Sequence, residues 1–408
     1  MLNRIEAGVT APLGFEAGCA AAGIKYKDRT DMAIVYSKRP CVAAGAFTTN
    51  VVKAAPVLWD KHIVEDCENL QAVIINAGIA NACTGEEGYG YCKQTADAAA
   101  KVLNIPADAV GVASTGVIGM QLPIDRIVNG VSLLAAAKGE SYDDGHKAAR
   151  AIMTTDTKAK EVAVEFNIGG TKCTMGGMCK GAGMIHPNMC TMLCFITTDA
   201  AIDKALLTKA LKNDVVDTFN MISVDGDTST NDTVLLMANA MAGNPVICEE
   251  NEDYKTFCEA LHYCMLTLSK MIAGDGEGCT CLFECTVVNA DTKQNARTLA
   301  KSVITSSLTK AAIFGHDANW GRILCALGYS GVDFDPYKVD IYFKSAAGEL
   351  QIVKDGVSTG YSEDLATEIL SQEHVTAVCD MHNGNEQATA FGCDLTYEYV
   401  KINGDYRS

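Results

Sequence analysis

The chain has 408 residues and carries 33 Lys and Arg against 50 Asp and Glu, a formal net charge of −17. That charge repels polyanions, and no basic stripe offsets it, so nucleic acid is not expected as a partner. Hydrophobic residues at 48% and charged residues at 20% exclude a disordered chain, and no apolar run reaches the roughly 20 residues of a membrane helix. Met1 to Gly14 lacks a basic-then-apolar signal pattern, so a cytoplasmic chain with no membrane partner is expected, long enough for two domains. Its 18 cysteines are then expected to be reduced thiols. Cys279, Cys281 and Cys285 follow a CxCxxxC spacing, unlike the paired CxxC of a structural zinc site. They read as small buried hydrophobes, and no metal is expected.

Helical and strand signals interleave along the chain, which predicts an α-with-β class. Ala72–Ile75 reads as a strand and Thr95–Leu103 as an Ala-rich helix. Val110–Val112 reads as a strand, followed by a small-residue loop over Ala113–Gly119. Pro187 and Asn188 favour a turn, and an apolar strand then starts at Thr191 and covers Met192–Thr197. Asp203 can cap a helix bearing Leu206, Leu207, Leu211, Val215 and Phe219. Thr233–Met237 is strand-like. From about Asp253, Phe257, Leu261, Met265, Leu268 and Ile272 share a helical face that stops near Gly274. A strand at Val287–Asn289 and a helix over Asn295–Leu308 follow. The remainder is β-rich, with a hairpin over Val339–Val353 turning at Ala347-Gly348. His374–Asp380 and Gln387–Ile402 read as strands around the turn Asn383-Gly384. Within the last, Tyr399–Ile402 would tie down the chain end before a turn at Asn403–Asp405. The weak break near Asn289–Asn295 divides the chain into a larger domain, 1–290, and a smaller one, 291–408.

No GxxxxGK[ST] occurs, and Gly274–Gly278 precedes no helix, so neither a P-loop nor a dinucleotide fingerprint is present and no cofactor is expected. The unusual segment is Lys180–Phe195. Read locally, Thr191 is a β-former at a strand start. Read chemically, cleavage of the Cys190–Thr191 bond would free the Thr191 α-amine, which titrates near pH 8 and is a base on the nucleophile's own residue. The Thr191 hydroxyl could first attack its own preceding carbonyl. Acyl chemistry also needs oxyanion donors, and the Thr115 hydroxyl with the Gly116 N–H are candidates.

At these residues the chain resembles the ornithine acetyltransferase (glutamate N-acetyltransferase) family of arginine biosynthesis, over nearly its whole length. Gly14-Phe15, the Gly45–Asn50 segment, Asn76–Ala82, Thr84-Gly85, Ser223–Asp232, Asn319–Arg322 and Gly392–Leu395 carry the resemblance. It implies an α+β fold, a layered αββα-type sandwich with a smaller C-terminal α/β domain, of the self-processing N-terminal-nucleophile kind. It implies autocleavage between Cys190 and Thr191 into 1–190 and 191–408, with the pieces held together as α2β2. Thr191 would be the nucleophile and Thr115 and Gly116 the oxyanion hole. Thr154 (or Thr155, since the TTDT match fits either), Lys180, Glu277, Asn403 and Ser408 would contact substrate. The implied reaction moves acetyl from N-acetylornithine to glutamate, and some members also use acetyl-CoA. Lys180 suits a carboxylate and Glu277 an ammonium. Cys190, Cys281, Ala318 and Ile79 depart from the usual alanine, lysine, proline and polar residue. The competing readings are a self-processing amidase or aminopeptidase, with water as acceptor, and a thiol-rich metal or redox protein.

Overall fold

The structure is a computed structural model that describes residues 2–25, 27, 29–186 and 192–405. The expected scissile pair Cys190 and Thr191, and Ser408, lie outside the described residues. Contacts divide the chain into two units. The first is Met1–Gly181, Pro187–Asn220 and Thr228–Leu268; the second is Ala182–His186, Met221–Asp227 and Ser269–Ser408.

The first unit contains, in order, β1 (Asn3–Ile5), β2 (Phe15–Ala20), β3 (Met32–Phe47), α1 (Ala55–Asp66), β4 (Leu70–Ile79), α2 (Gly85–Leu103), β5 (Val110–Val117), α3 (Ile124–Ala137), α4 (Tyr142–Ala151), β6 (Lys160–Ile168), β7 (Thr171–Lys180), β8 (Leu193–Thr198), α5 (Lys204–Asp214), β9 (Thr233–Ala238) and most of α6 (Glu252–Ala273). Its strands run β1-β6-β7-β8-β9-β3-β4-β5, with β2 also paired to β3. The 16-residue β3 is the joint of this sheet. Val42–Phe47 pair with β9, whereas Met32–Tyr36 pair with β4 and with β2. Two half-sheets therefore share one strand. The parallel pairs β4–β5 and β8–β9 are each joined through a helix, as parallel strands must be by a crossover.

Residue alternation explains the layering. On β7, Met178 joins the apolar core with Val35, Ile74, Phe195 and Leu235. Its neighbours face α6 instead: Leu268 Cδ1 lies 3.2 Å from a Cβ built at Gly177, and the Leu268 carbonyl 4.0 Å from Cys179 Sγ. That is a strand's period of two. The stripe Phe257, Leu261, Met265 and Leu268 of α6 is buried, as its helical spacing predicts. Helices α1 to α4 add Ile63, Ala96, Val131 and Ala149 to the same core as the two half-sheets. Asp203 precedes α5 without a side-chain capping bond, and α5 ends at Asp214, leaving Phe219 in a separate 3-10 turn.

The second unit contains β10 (Leu282–Ala290), α7 (Lys293–Thr305), α8 (Ser307–Phe314), α9 (Trp320–Gly328), β11 (Asp340–Ser345), β12 (Gly348–Lys354), β13 (Val357–Ser358), α10 (Glu363–Leu370), β14 (His374–Asp380), β15 (Glu386–Cys393) and α11 (Tyr397–Gly404). The strand order is β13-β12-β11-β14-β10-β15. The hairpin over β11 and β12 forms with Ser345 opposite Gly348. β10 inserts between β14 and β15, parallel to one and antiparallel to the other, so Asn383-Gly384 closes no hairpin. Phe283, Cys285 and Val287 of β10 are fully buried, which suits it to the interior of the sheet. The break expected at 290/291 falls at the end of this strand. Ser306 ends α7 and caps α8 by accepting from the Thr309 N–H, dividing the single helix expected over Asn295–Leu308.

The chain end differs from its expected form. Tyr399–Ile402 is helix, not strand, and Asn403 sits in the last turn of α11 rather than in a loop turn. The Asp394 carboxylate accepts from the Thr280 and Cys281 N–H groups, and the Thr396 hydroxyl donates to the Gly278 carbonyl. These bonds turn the chain after β15, and tertiary context overrides the β preference of a Tyr- and Val-rich run. Among the described residues no helix is long and apolar enough to cross a membrane, and no three His, Cys, Asp or Glu are placed to hold a metal. The described cysteines are free thiols, and burial pushes Cys281 up to about 12.

Candidate active site

Four strands of the first unit meet one end of the sheet in a single lateral row. Lys180 of β7 is opposite Leu193 of β8, Leu193 opposite Thr233 of β9, and Thr233 opposite Phe47 of β3. Strands lie about 4.8 Å apart, so Lys180 and Thr233 stand about 10 Å apart across the start of β8. The Thr233 N–H donates to the Met192 carbonyl at 2.9 Å, and the Thr48 N–H to the Asp232 carbonyl at 3.0 Å. Met192, the residue after Thr191, is thus fixed between the end of β7 and the start of β9.

Asn231, from the same end of β9, reaches the two segments beside it. Its carboxamide donates to the Ala80 carbonyl at 2.6 Å and to the Ser114 carbonyl at 2.8 Å, and accepts from the Thr230 hydroxyl at 2.6 Å. The Ser114 hydroxyl donates to Asn76 Oδ1 at 2.6 Å, and Asn76 Nδ2 to the Ile79 carbonyl at 2.9 Å. Thr115 and Gly116 therefore lie at the end of β5, in the strand rather than in the expected loop, because β4 pairs with them up to Gly78. The register shifts after Gly78. Gly116 has φ +128°, and a Cβ there would come within 2.2 Å of the Gly78 carbonyl carbon. Only glycine allows that approach, and it places the Gly116 backbone at the strand's end beside the half-buried Thr115.

Thr154 and Lys180 converge on a residue that sequence reasoning left without a role, Asp156. Lys180 Nζ is 3.7 Å from Asp156 Oδ2, which also accepts from the Thr154 N–H at 3.0 Å. Asp156 Oδ1 accepts from Lys160 Nζ at 2.8 Å and from the Gly181 N–H at 2.6 Å. Burial works to raise this carboxyl, but the charges of Lys180 and Lys160 and the bonds to Lys160 and Thr154 outweigh it and hold it below the usual carboxylate range. Thr155 is half-buried beside Thr154.

In the second unit Glu277 and Asn403 meet directly. Asn403 Nδ2 donates to Glu277 Oε2 at 2.6 Å and to the Tyr399 carbonyl at 3.0 Å. The Glu277 N–H donates to the Ala182 carbonyl at 2.8 Å, and a Cβ at Gly183 would strike the Glu277 carboxylate at 2.3 Å. The 182–186 segment, which leads toward the expected cut, is held by Asp225: Oδ2 accepts from the Met184 N–H at 2.6 Å and Oδ1 from the Ile185 N–H at 2.9 Å. His186 Nδ1 lies 3.1 Å from Ser223 Oγ. Burial, and then the charge of Lys301, push His186 down to about 4.

The expected residues thus fall into three groups: Thr115 with Gly116, Thr154 with Lys180, and Glu277 with Asn403. Asp156, Asn231 and His186 were missed. The first two sit inside blocks visible in the sequence, the TTDT run and Ser223–Asp232, and His186 inside Lys180–Phe195. Only contacts show what they hold.

Residues 16–408 match the ArgJ family model. Arginine biosynthesis bifunctional protein ArgJ 1 of Clostridium acetobutylicum is 53% identical, over 97% of this chain and 96% of its own. Arginine biosynthesis bifunctional protein ArgJ of Caldanaerobacter subterraneus subsp. tengcongensis is 50% identical over 100% of both. A solved chain of arginine biosynthesis bifunctional protein ArgJ from Bacillus halodurans is 45% identical, with a TM-score of 0.50, covering 52% of this chain and 99% of its own. Blocks that the sequence spreads over some two hundred positions are hydrogen-bonded together at one sheet end, and the match runs through all of them: this chain belongs to the ArgJ family.

Proposed function

We propose that this chain is a glutamate N-acetyltransferase of arginine biosynthesis that cuts itself before Thr191 and then carries acetyl on that threonine. The observation that carries this reading is the lateral row at the sheet end. Met192 is held through its carbonyl by the Thr233 N–H, Leu193 stands opposite Lys180, and Asn231, two residues before Thr233, holds the Ser114 carbonyl at the end of β5. The reading requires the nucleophile, one residue earlier, to be served by a carboxylate-binding cation and oxyanion donors, the roles it gives to Lys180, Thr115 and Gly116. The relatives' shared name, an arginine biosynthesis bifunctional protein, supports the pathway and a second, acetyl-CoA-dependent synthesis of N-acetylglutamate. The solved relative's chain, nearly all of it aligned, spans about half of this one, as a fragment from one internal cut would.

In the first step the Thr191 hydroxyl attacks the Cys190 carbonyl carbon, the C–N bond breaks, and water opens the resulting ester. A Cys190 carboxylate and a free Thr191 amine remain. In the transfer, that amine takes the hydroxyl proton as Oγ attacks the acetyl carbon of N-acetylornithine, then returns it to the departing ornithine amine. The glutamate amine attacks the acetyl ester in the same way and regenerates Thr191. Thr115 and Gly116 donate to the oxyanion in each tetrahedral intermediate. Lys180 pairs with the substrate carboxylate, Glu277 with its ammonium, and Thr154, Asn403 and Ser408 hydrogen-bond around them. Neither a cofactor nor a metal takes part. The two fragments stay together as α2β2, in the cytoplasm.

Purified protein should run as two fragments, the larger beginning at Thr191, and should release ornithine from N-acetylornithine beyond about one equivalent per site only when glutamate is present, with parallel double-reciprocal lines. Thr191→Ala should stay uncut and inactive. Continued turnover without glutamate, past that first equivalent, would mean that water is the acceptor and replace transferase by amidase. An active protein that remains one chain would remove Thr191 from its role.

A further inference from the structure

Asp156 contacts nothing that the reaction above uses as a reactant, yet it gathers more of the site than any substrate-contacting residue does. Its side chain is fully buried. It ties together three places in the chain: the 154–156 segment after α4, the start of β6 through Lys160, and the exit of β7 through Lys180 and Gly181. Register explains the convergence, because Lys160 pairs with Cys179, next to Lys180.

The distances divide the labour. Lys160, 1% exposed, makes the close ion pair at 2.8 Å. Lys180 stands off at 3.7 Å, beyond hydrogen-bond reach, so it donates no hydrogen bond to Asp156. On this carboxylate Lys160 takes the close position and Lys180 the distant one. Without Lys160, Asp156 would draw Lys180 into a closed pair and cancel the charge that an anionic substrate needs.

We propose that Asp156 is a positioning residue that locks Lys180 and the Thr154 backbone into one carboxylate-binding arm, with Lys160 as the counter-charge that leaves Lys180 unspent. This rests on the substrate roles proposed above for Lys180 and Thr154.

Removing Asp156 alone would strand a buried lysine, so the test variant is Asp156→Asn with Lys160→Met, which removes both charges together. Thermal melting and gels would establish that it folds and cuts. Two readouts then decide. In steady-state kinetics, KM for glutamate and for N-acetylornithine should rise about tenfold with kcat within about threefold, as loss of a preset ground-state contact requires. In competitive reductive methylation read by peptide mass spectrometry, Lys180 should label several-fold faster than in the parent, with the rates of exposed lysines such as Lys172 unchanged. An unchanged Lys180 rate in the folded variant overturns the proposal, as does a fall in kcat at constant KM. The labelling does not depend on the reaction. If the parent protein fails to transfer acetyl, the functional reading falls while the labelling still decides what Asp156 does.

Discussion

In the first unit the buried Asp156 carboxylate is met by two lysines and two backbone N–H groups. In the second, the similarly buried Glu277 is met by the neutral carboxamide of the exposed Asn403. The difference separates two ways of building a charged site. Asp156 is compensated inside the fold, with Lys160 close and Lys180 further off. Glu277 lacks a cationic partner among the described residues, and the ammonium of the proposed substrate would supply one. The first arrangement sits on strand ends held by the sheet, the second on a loop and a helix end.

That contrast sets the expected size of each mutational effect. Lys160→Met should be the most damaging, losing about 3–5 kcal/mol in denaturant unfolding, because it takes the close cation away from a buried carboxylate. A loss below about 1 kcal/mol would show that Lys160 is not the close partner. Next, Thr115→Ala should lower kcat about a hundredfold with little change in KM, since one oxyanion donor is worth about 3 kcal/mol. A pure KM effect would move Thr115 into the substrate-contacting group. Asn403→Ala should cost only about 1–2 kcal/mol of stability, the net worth of its two hydrogen bonds at an exposed helix end, and raise KM a few-fold. If it unfolds the protein as Lys160→Met does, the distinction between the clusters collapses.

The smallest expected effect is a pH slope. His186 is pushed down to about 4 from 6.5, so between those values the unfolded chain binds more protons than the folded one. Stability is then fully present above pH 6.5 and is lost as pH falls toward 4. Chemical denaturation of the parent and of His186→Asn across this window should show a steeper acid loss in the parent. Equal slopes would mean that another group governs the acid limb.

Much of the fold is legible in the chain where one pattern has one solution. The α6 stripe from Phe257 to Ile272 and the apolar runs of β8 and β9 are buried as their spacing predicts. Local reading fails where a neighbour decides. Ala113–Gly119 looks like a loop until β4 lies beside it, and Tyr399–Ile402 looks like a strand until Asp394 and Thr396 turn the chain into α11. The residues expected to touch substrate were identifiable from motifs. Those that hold them were not, since a buried aspartate's value lies in its partners, and Lys160, Lys180 and Gly181 become partners of Asp156 only through the register of β6 on β7.

The sequence by itself determined the α-with-β class, the main core helices and strands, the acidic surface charge and the family, because periodicity, composition and ordered motifs are properties of the chain. The tertiary structure alone decided which strand ends meet, that Gly116 lies against Gly78, and that Asp156 binds two lysines at unequal distances. Those are contacts between residues far apart in the chain, set by strand order and register, and no local propensity encodes them.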